Sequence, residues 1–331
     1  MNKEIYIKTN NLWDKVIQPY VTIVTPVFNR EDTILRTMKS IERQTFKEIE
    51  YIVVDDGSTD KSSELVFNFM EKTSLPMMLI RKKNGGVHTA RNLAIKYARG
   101  KMYYCNDSDD ESLPDAIEKL VEIWKSIPND HKKEYFEIKC RCVDQNGIVV
   151  GPEFPKDVNL WQWEKTKQYY ENIHAENVGF RVMNILKNNP WPEPENVTFV
   201  GEDFLWRKLR MSYKTFLSNE IVQIYHTEGN DHLDFGLTKK RNLQHCKNVY
   251  WKASYILNNY EVYGEEKNKL NFIFSRVLMW NVIKIKHAKM QRIEINDKKI
   301  KSVESIFDIP MYMLAFFYIK KYKIKNENTM E

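Results

Sequence analysis

Tyr51-Ile52-Val53-Val54-Asp55-Asp56-Gly57-Ser58 reads as a buried strand that stops abruptly at two carboxylates and a glycine. Working outward, Val21-Thr22-Ile23-Val24-Thr25-Pro26 is a second β-branched run, ending at a proline, and Phe28-Asn29 follows it. Between the two runs, residues 32–44 carry Ile34, Leu35, Met38 and Ile41 at helical spacing. On the other side, Thr59 or Asp60 can cap a helix that runs to about Met70. Residues 77–81 are a third strand, Asn84-Gly85-Gly86 a turn, and residues 89–98 a helix. Residues 101–105 are a fourth strand, and it too ends in acid: Asn106-Asp107-Ser108-Asp109-Asp110. Strand and helix alternating at this rhythm predict a mainly parallel sheet with right-handed crossovers. Ligands of such sheets sit beyond the carboxyl ends of the strands, which is where Phe28-Asn29, Asp55-Asp56 and Asp107–Asp110 fall.

Further along, residues 132–150 suit paired strands around an Asn146-Gly147 turn. Residues 151–200 are rich in Trp, Pro and Asn and less regular, and Gly201-Glu202-Asp203-Phe204-Leu205-Trp206 opens a helix. Residues 221–225 form another strand, followed by a polar loop from His226 to Asp234. From about 236 the chain reads as helical and basic. The pattern therefore predicts a catalytic α/β domain over 1–235, with a nucleotide half near 18–115 and an acceptor half over 116–235, and a helical C-terminal region over 236–331.

The chain has 331 residues, 42% of them hydrophobic, enough for a large α/β domain with an appendage. Its four cysteines fit no zinc pattern and read as free thiols of a reducing compartment. The opening MNKEIYIKTN has no apolar secretory core, and the longest apolar run, 311–319, is about half of what a spanning helix needs. A cytoplasmic location, with attachment at the inner face of the membrane left open, is the expectation. Charge is uneven. Of the net +6, residues 236–331 carry 19 Lys/Arg against 9 Asp/Glu, +10, leaving −4 for the front. An acidic front half argues against a nucleic-acid partner, because it would repel the phosphate backbone.

Asp107 and Asp109, at i and i+2 after a strand, can hold a hard divalent cation and reach a ribose hydroxyl; the same residues suit a solvated acidic turn capping the next helix. Asp55 or Asp56 can accept from a base N–H or a sugar hydroxyl, or simply close a turn. The glycines of Asn84-Gly85-Gly86 permit close backbone approach. Arg91, on the helix behind them, can pair with the acidic cluster or a diphosphate, or lie on an amphipathic surface. No Gly-Lys-Ser/Thr follows, so this is not a phosphate-binding P-loop.

Taken in order, Thr25-Pro26-Val27-Phe28-Asn29, Asp55 to Asp60, Asn84 to Asn92, and Asp107-Ser108-Asp109-Asp110 with Pro114 beyond resemble the family 2 glycosyltransferases of GT-A fold. The resemblance implies a nucleotide-sugar donor, most often UDP-linked, and Mn²⁺ or Mg²⁺. Carried over by position, Pro26, Phe28 and Asn29 would flank the nucleobase, Asp56 (with Asp55 beside it) would bond to it, and Asn84 and Gly86 would shape the same pocket. Asp107 would reach the ribose and metal, Asp109 would ligate the metal with Ser108 and Asp110 close by, and Arg91 would sit against them. More weakly, Glu202-Asp203 resembles the family's catalytic acidic pair, with Asp203 as the general base of an inverting transfer; the alternative is favourable placement at a helix N-terminus. Trp206 offers a face to an acceptor sugar or packs in the core. His226 is a candidate metal ligand, with His232 as an alternative, and His88 reads as structural. The chain lacks the Gln-x-x-Arg-Trp of processive members such as cellulose and hyaluronan synthases, which implies single-sugar addition.

The basic tail has two amphipathic stretches, 270–289 and 306–323. They suit an anionic membrane that presents a lipid-linked oligosaccharide acceptor, or packing on the catalytic domain or within a homodimer. The expected activity is hexosyl or N-acetylhexosaminyl transfer in assembly of a surface polysaccharide such as capsule, O-antigen or exopolysaccharide. The alternatives are a nucleotidyltransferase, or a catalytically silent nucleotide- or glycan-binding relative.

Overall fold

The computed structural model describes residues 5–154, 176–227, 243–259, 269–286, 290–296, 298–322 and 324. The chain divides into two compact units: Met1–Trp191 with Lys208–Thr227, and Pro192–Arg207 with Glu228–Glu331. The sequence pattern puts a boundary near 235, but the irregular 192–207 stretch belongs with the C-terminal helices. There the Asn196 carbonyl accepts from Gln244, Thr198 N–H donates to Asn248, and Phe204 packs on Trp251 and Tyr255.

In the first unit, β1 (Tyr6–Thr9), β2 (Val21–Val27), α1 (Ile34–Glu42), β3 (Ile49–Asp55), α2 (Ser62–Met70), β4 (Met77–Arg81), α3 (Val87–Tyr97) and β5 (Met102–Cys105) follow in chain order. Then come β6 (Glu111–Ser112), α4 (Ala116–Ser126), β7 (Tyr135–Asp144), β8 (Asn177–Val178), β9 (Phe180–Val182), α5 (Met183–Asn188) and, after α6 (Asp203–Arg210), which begins in the second unit and ends in the first, β10 (Lys214–Tyr225). Among the described residues the strands form one sheet in the order β1-β4-β3-β2-β5-β9-β7-β10-β6, with β8 beside β7. The β4-β3-β2-β5 core is parallel. The chain winds outward from β2 to β4 and then returns through α3 to β5 on the other flank of β2. That reversal opens a crevice at the carboxyl ends of β2, β3 and β5.

Strands β2 and β3 are buried over their whole length, which is why they read as continuous apolar runs and not as alternation. β2 continues one residue past the proline that was expected to end it. The Val24 carbonyl accepts from Asn106 on the β5 side, so by strand parity Pro26 faces that side too. The β2–β5 ladder has ended at Val24–Cys105, and the missing proline N–H falls where no partner is needed. The expected hairpin over 132–150 is reduced to its turn. Asp144 Oδ1 accepts from Asn146 and Ile148 N–H, and Gly147 has φ +80°, but only a single bridge, Val143–Val149, follows it. β7 pairs instead with β10, in parallel.

A buried carboxylate anchors that pairing. Glu137 is fully buried and accepts from Arg210 Nε at 2.7 Å and Thr215 Oγ1 at 2.7 Å, with Arg181 at 3.9 Å. Glu50, also fully buried, takes Thr22 Oγ1 and the Arg99 backbone N–H at 2.6 Å and Arg99 Nε at 2.7 Å. Each carboxylate is thereby paired and hydrogen-bonded, which burial of a charge requires.

The second unit contains α7 (Leu243–Asn258), α8 (Lys269–Ile285) and α9 (Lys298–Tyr322). Cys246 and Tyr250 of α7, Met279, Val282 and Ile283 of α8 and Ala315 of α9 share one apolar cluster. Tyr250 stacks on Trp280 with centroids 5.1 Å apart. Buried Arg276 donates to Ser254 Oγ at 2.8 Å and pairs with Glu304. No helix among the described residues is long and apolar enough to cross a membrane.

Candidate functional site

The crevice is walled by the segment 106–112, and its keystone is a residue that motif reading passed over. Asn106 is fully buried. Its amide nitrogen donates to the Asp107 and Asp110 carbonyls, and its amide oxygen accepts from Ser112 Oγ at 2.8 Å and Gln223 Nε2 at 3.1 Å. Its own carbonyl accepts from Thr25 Oγ1, which in turn accepts from Tyr51 OH. From the other side, α1 and its first flanking residue reach the same loop. Thr33 Oγ1 donates to the Ser108 carbonyl, Arg36 to the Asp109 carbonyl, Thr37 Oγ1 to the Asp110 carbonyl, and Ser40 Oγ accepts from Ser112 N–H. The loop is thus fixed through its backbone, and its carboxylates are left to act.

Those carboxylates differ in environment. The Asp107 side chain is 53% exposed, and its Oδ1 accepts from buried Arg91 at 3.1 Å. Asp109 lies 3.8 Å from Arg30 Nε. Asp110 is buried, and its carboxyl is pushed up to about 8 by burial and then by the charges of Asp107, Asp109 and Glu176, against the opposing effect of His226 N–H, which donates to it at 3.0 Å. Ser108 contributes its carbonyl to the scaffold. Arg36 and Arg43 both approach Glu111, at 3.7 and 3.2 Å.

His226 is buried, its Nε2 lies 3.0 Å from Glu111 Oε1, and among the described residues its Nδ1 has no hydrogen-bond partner. A carboxylate on one ring nitrogen orients an imidazole so that the other can bind an acid or a metal. Among the described residues no three His, Cys, Asp or Glu side chains are already gathered to hold a metal. The exposed carboxylate oxygens that occur here suit Mn²⁺ or Mg²⁺, and the buried imidazole nitrogen beside them fits the softer Mn²⁺ better than Mg²⁺.

The opposite wall is built from the β2 and β3 ends. Phe28 is 43% exposed. Asn29 adopts φ +52°, its N–H donates to Ser58 Oγ, and its Oδ1 accepts from Thr59 N–H. Arg30 N–H bonds to Ser62 Oγ and Glu31 N–H to Asp60 Oδ2, so the two loops are stitched together. The adjacent aspartates have separate tasks. Asp55 is fully buried, accepts from Ser58 N–H at 2.8 Å and pairs with Arg81 at 3.2 Å, which makes it a turn-former. Asp56 grips the glycine turn: Gly85 N–H donates to Oδ1 at 2.9 Å, Gly86 N–H to Oδ2 at 2.7 Å, and Lys82 pairs with it. A carboxylate oxygen has two lone pairs, so Oδ2 retains one for a ligand. The Asn84 side chain is exposed while Gly86 is buried at φ +95°.

Fully buried His88 sits in the first turn of α3, and among the described residues neither ring nitrogen has a partner. Burial, then Lys82 and Arg91, pull its pKa down to about 4.

In the second unit Asp203 is the first residue of α6; its side chain lies outside the described residues. Glu202 accepts at 3.0 Å from the indole N–H of Trp206. Trp206 is itself buried, so the open sugar-stacking face suggested for it is replaced by a packing role that orients Glu202. His232 lies outside the described residues.

Comparison with known proteins bears on this arrangement. The family described as Glycosyl transferase family 2 matches residues 22–131. The chain is 36% identical over 268 residues to the uncharacterized glycosyltransferase EpsJ of Bacillus subtilis (strain 168), covering 78% of this chain and 75% of EpsJ. The chain belongs to glycosyltransferase family 2. Two solved structures share its GT-A fold. Staphylococcus aureus TarS residues 1–349, in complex with UDP-GlcNAc, superposes with a TM-score of 0.52 at 16% identity, covering 89% of this chain and 79% of TarS 1–349. The mannosyltransferase PcManGT of Pyrobaculum calidifontis, in complex with GDP-Man and Mn²⁺, gives 0.50 at 14%, covering 90% and 84%. The family match spans the crevice residues from β2 to α4, but not the Gln223 and His226 that complete the acidic loop.

Proposed function

We propose that this family 2 glycosyltransferase moves one sugar from a nucleotide-diphosphate sugar, UDP-linked by preference, to an acceptor hydroxyl with inversion at the anomeric carbon. The observation that carries the reading is the exposed Asp107 carboxylate on a rigid loop at the sheet's switch point, paired with buried Arg91. Phe28 gives the base an apolar face, and the free lone pair of Asp56 Oδ2 accepts from a base N–H. Asp107 accepts from a ribose hydroxyl, and Arg91 faces the diphosphate. Asp109, with Asp107 and His226, would hold Mn²⁺ or Mg²⁺, which when bound neutralises the departing diphosphate.

Asp203 is assigned as general base on the strength of the Glu202-Asp203 pair at the start of α6. It would take the proton of the attacking hydroxyl, and attack opposite the leaving group inverts the centre. The acceptor is read as a glycan or lipid-linked oligosaccharide of a surface polysaccharide, and the transferred sugar as a hexose or N-acetylhexosamine.

The test is a thermal-shift panel of nucleotides and nucleotide sugars with and without Mn²⁺, run on the wild type and on Asp203→Asn. Metal-dependent stabilisation by UDP-type ligands in both proteins, with turnover lost only in the variant, is the expected pattern. Stabilisation by none of the nucleotides would remove the donor-site assignment. Full turnover by Asp203→Asn would remove the base.

A further inference from the structure

Helix α9 turns two different faces outward and inward. Ala315 is fully buried, and Ile300 and Glu304 nearly so; Met311, Tyr318 and Ile319 pack partly against the apolar clusters of the second unit. On the opposite face, Ile306 and Phe317 are each 69% exposed, Met313 62% and Leu314 48%. These four fall at i, i+7, i+8 and i+11, one continuous stripe on a 3.6-residue helix. Exposed Pro310 lies on the same stripe at i+4. A proline inside a helix also frees the carbonyl four residues earlier, here that of Ile306. Lys320 and Lys321, at i+14 and i+15, extend the stripe and are exposed. Phe316 and Tyr312 widen it on one side, at 52% and 43% exposure.

An outward stripe this apolar is uncommon on a soluble surface, and two occupants would cover it: a second copy of the chain or a lipid surface. Charge separates them. A two-fold pairing with the helices parallel would set lysines against lysines at its end, and an antiparallel one would lay them on the apolar Ile306 end, where nothing among the described residues offsets their charge. The surrounding sequence, net +10 from residue 236 onward, adds to the repulsion. A layer of anionic headgroups over acyl chains complements both halves of the stripe.

We infer that the α9 stripe of Ile306, Met313, Leu314 and Phe317, continued by Lys320 and Lys321, is a docking surface for an anionic lipid bilayer, lying in the interface and not crossing it. Phe317 and Met313 enter the acyl boundary while Lys320 and Lys321 contact headgroup phosphates. The inference stands independently of the donor chemistry.

The experiment is co-sedimentation of the full chain with vesicles of phosphatidylcholine alone and with 30% phosphatidylglycerol added (about a third of the lipid). The mixed vesicles should bind, the neutral ones at least tenfold more weakly, and added salt should weaken the binding. Lys320→Gln and Lys321→Gln should each reduce binding about fivefold. The double variant Met313→Ser/Phe317→Ser should abolish it, while the helix content by circular dichroism and the unfolding midpoint stay at the wild-type values as a check on folding. Absence of binding to the anionic vesicles, or binding that both sets of variants leave intact, overturns the proposal. So does a dimer in solution that Met313→Ser/Phe317→Ser dissociates in a chain that ignores vesicles, which would assign the stripe to a second copy.

Discussion

Two glycines with nearly the same backbone angle should respond to alanine by different amounts. Gly57 has φ +83° and Gly147 φ +80°, so each variant bears the left-handed penalty of about 1–2 kcal/mol. They part company in space. A β-carbon on Gly147 meets nothing within 4 Å, whereas on Gly57 it would sit 2.7 Å from the Asn84 nitrogen and 3.1 Å from the Lys82 carbonyl oxygen, both backbone atoms. Relieving a contact that short adds about 1–3 kcal/mol of overpacking. Gly147→Ala is therefore expected to cost about 1–2 kcal/mol, and Gly57→Ala about 2–5 kcal/mol.

Both residues lie in the first unit, so a single urea transition can report both as shifts of midpoint at constant slope. The excess at Gly57 should have a functional counterpart. Displacing Asn84 strains the turn whose Gly85 and Gly86 N–H groups Asp56 holds, so stabilisation by UDP should shrink in Gly57→Ala and persist in Gly147→Ala. Equal midpoint losses in the two variants would refute the claim that the 55–58 turn and the glycine loop are in hard contact.

Burial alone would raise Glu137, but Arg210, Lys139 and Arg181 override it and hold its carboxyl at about 2, against 4.5 in the unfolded chain. Its contribution is complete above pH 4.5 and is lost as pH falls toward 2; Glu137→Gln should flatten that acid limb in a pH series of unfolding midpoints, whose height is about 3 kcal/mol. His88 runs in a higher window: the unfolded ring gains a proton below pH 6.5 and the folded one only near 4, so stability should fall between those values, and His88→Gln should remove that part of the slope. Asp107→Asn should weaken UDP binding at least tenfold by calorimetry, about 1.4 kcal/mol, with little change in unfolding midpoint because the carboxylate is half exposed; unchanged affinity would take Asp107 out of the donor site. Chelation with EDTA should abolish turnover, and excess Mn²⁺ should restore it.

The parallel core was legible because β2 and β3 are buried on both faces and leave unbroken β-branched runs, each closed by a polar cluster. The crossover rule adds the hand of each connection, but the return of the chain to the far side of β2, which sets β5 there, is not written in the local pattern. The supports of the acidic loop were not legible by the same means. Thr33, Arg36, Thr37 and Ser40 stand at i, i+3, i+4 and i+7, the spacing of a buried helix face, but they are polar, and a search for apolar periodicity passes over them. Asn106 was hidden for a related reason: its work is done by an amide inside the fold, and its neighbours' carboxylates attract the eye. Adjacent Asp55 and Asp56 cannot be told apart by type; only the turn at Gly57 sends one to Ser58 and Arg81 and the other to the glycine loop. The reach of β7 to β10 was hidden by distance along the chain, which local turn signals such as Asn146-Gly147 do not encode.

That long reach sets an order of events during synthesis. The acidic loop leaves the ribosome with β5, but the groups that close it arrive much later: Gln223 donates to Asn106, Leu113 N–H to the Val222 carbonyl, and His226 N–H to Asp110. At roughly 5–20 residues per second, the nascent chain waits on the order of ten seconds between exposing its cluster of carboxylates and receiving the strand that shapes them. A nascent chain stalled before β10 should fold its parallel core and still be blind to nucleotide, so competence for donor binding is acquired near the end of the first unit's translation and not at its beginning.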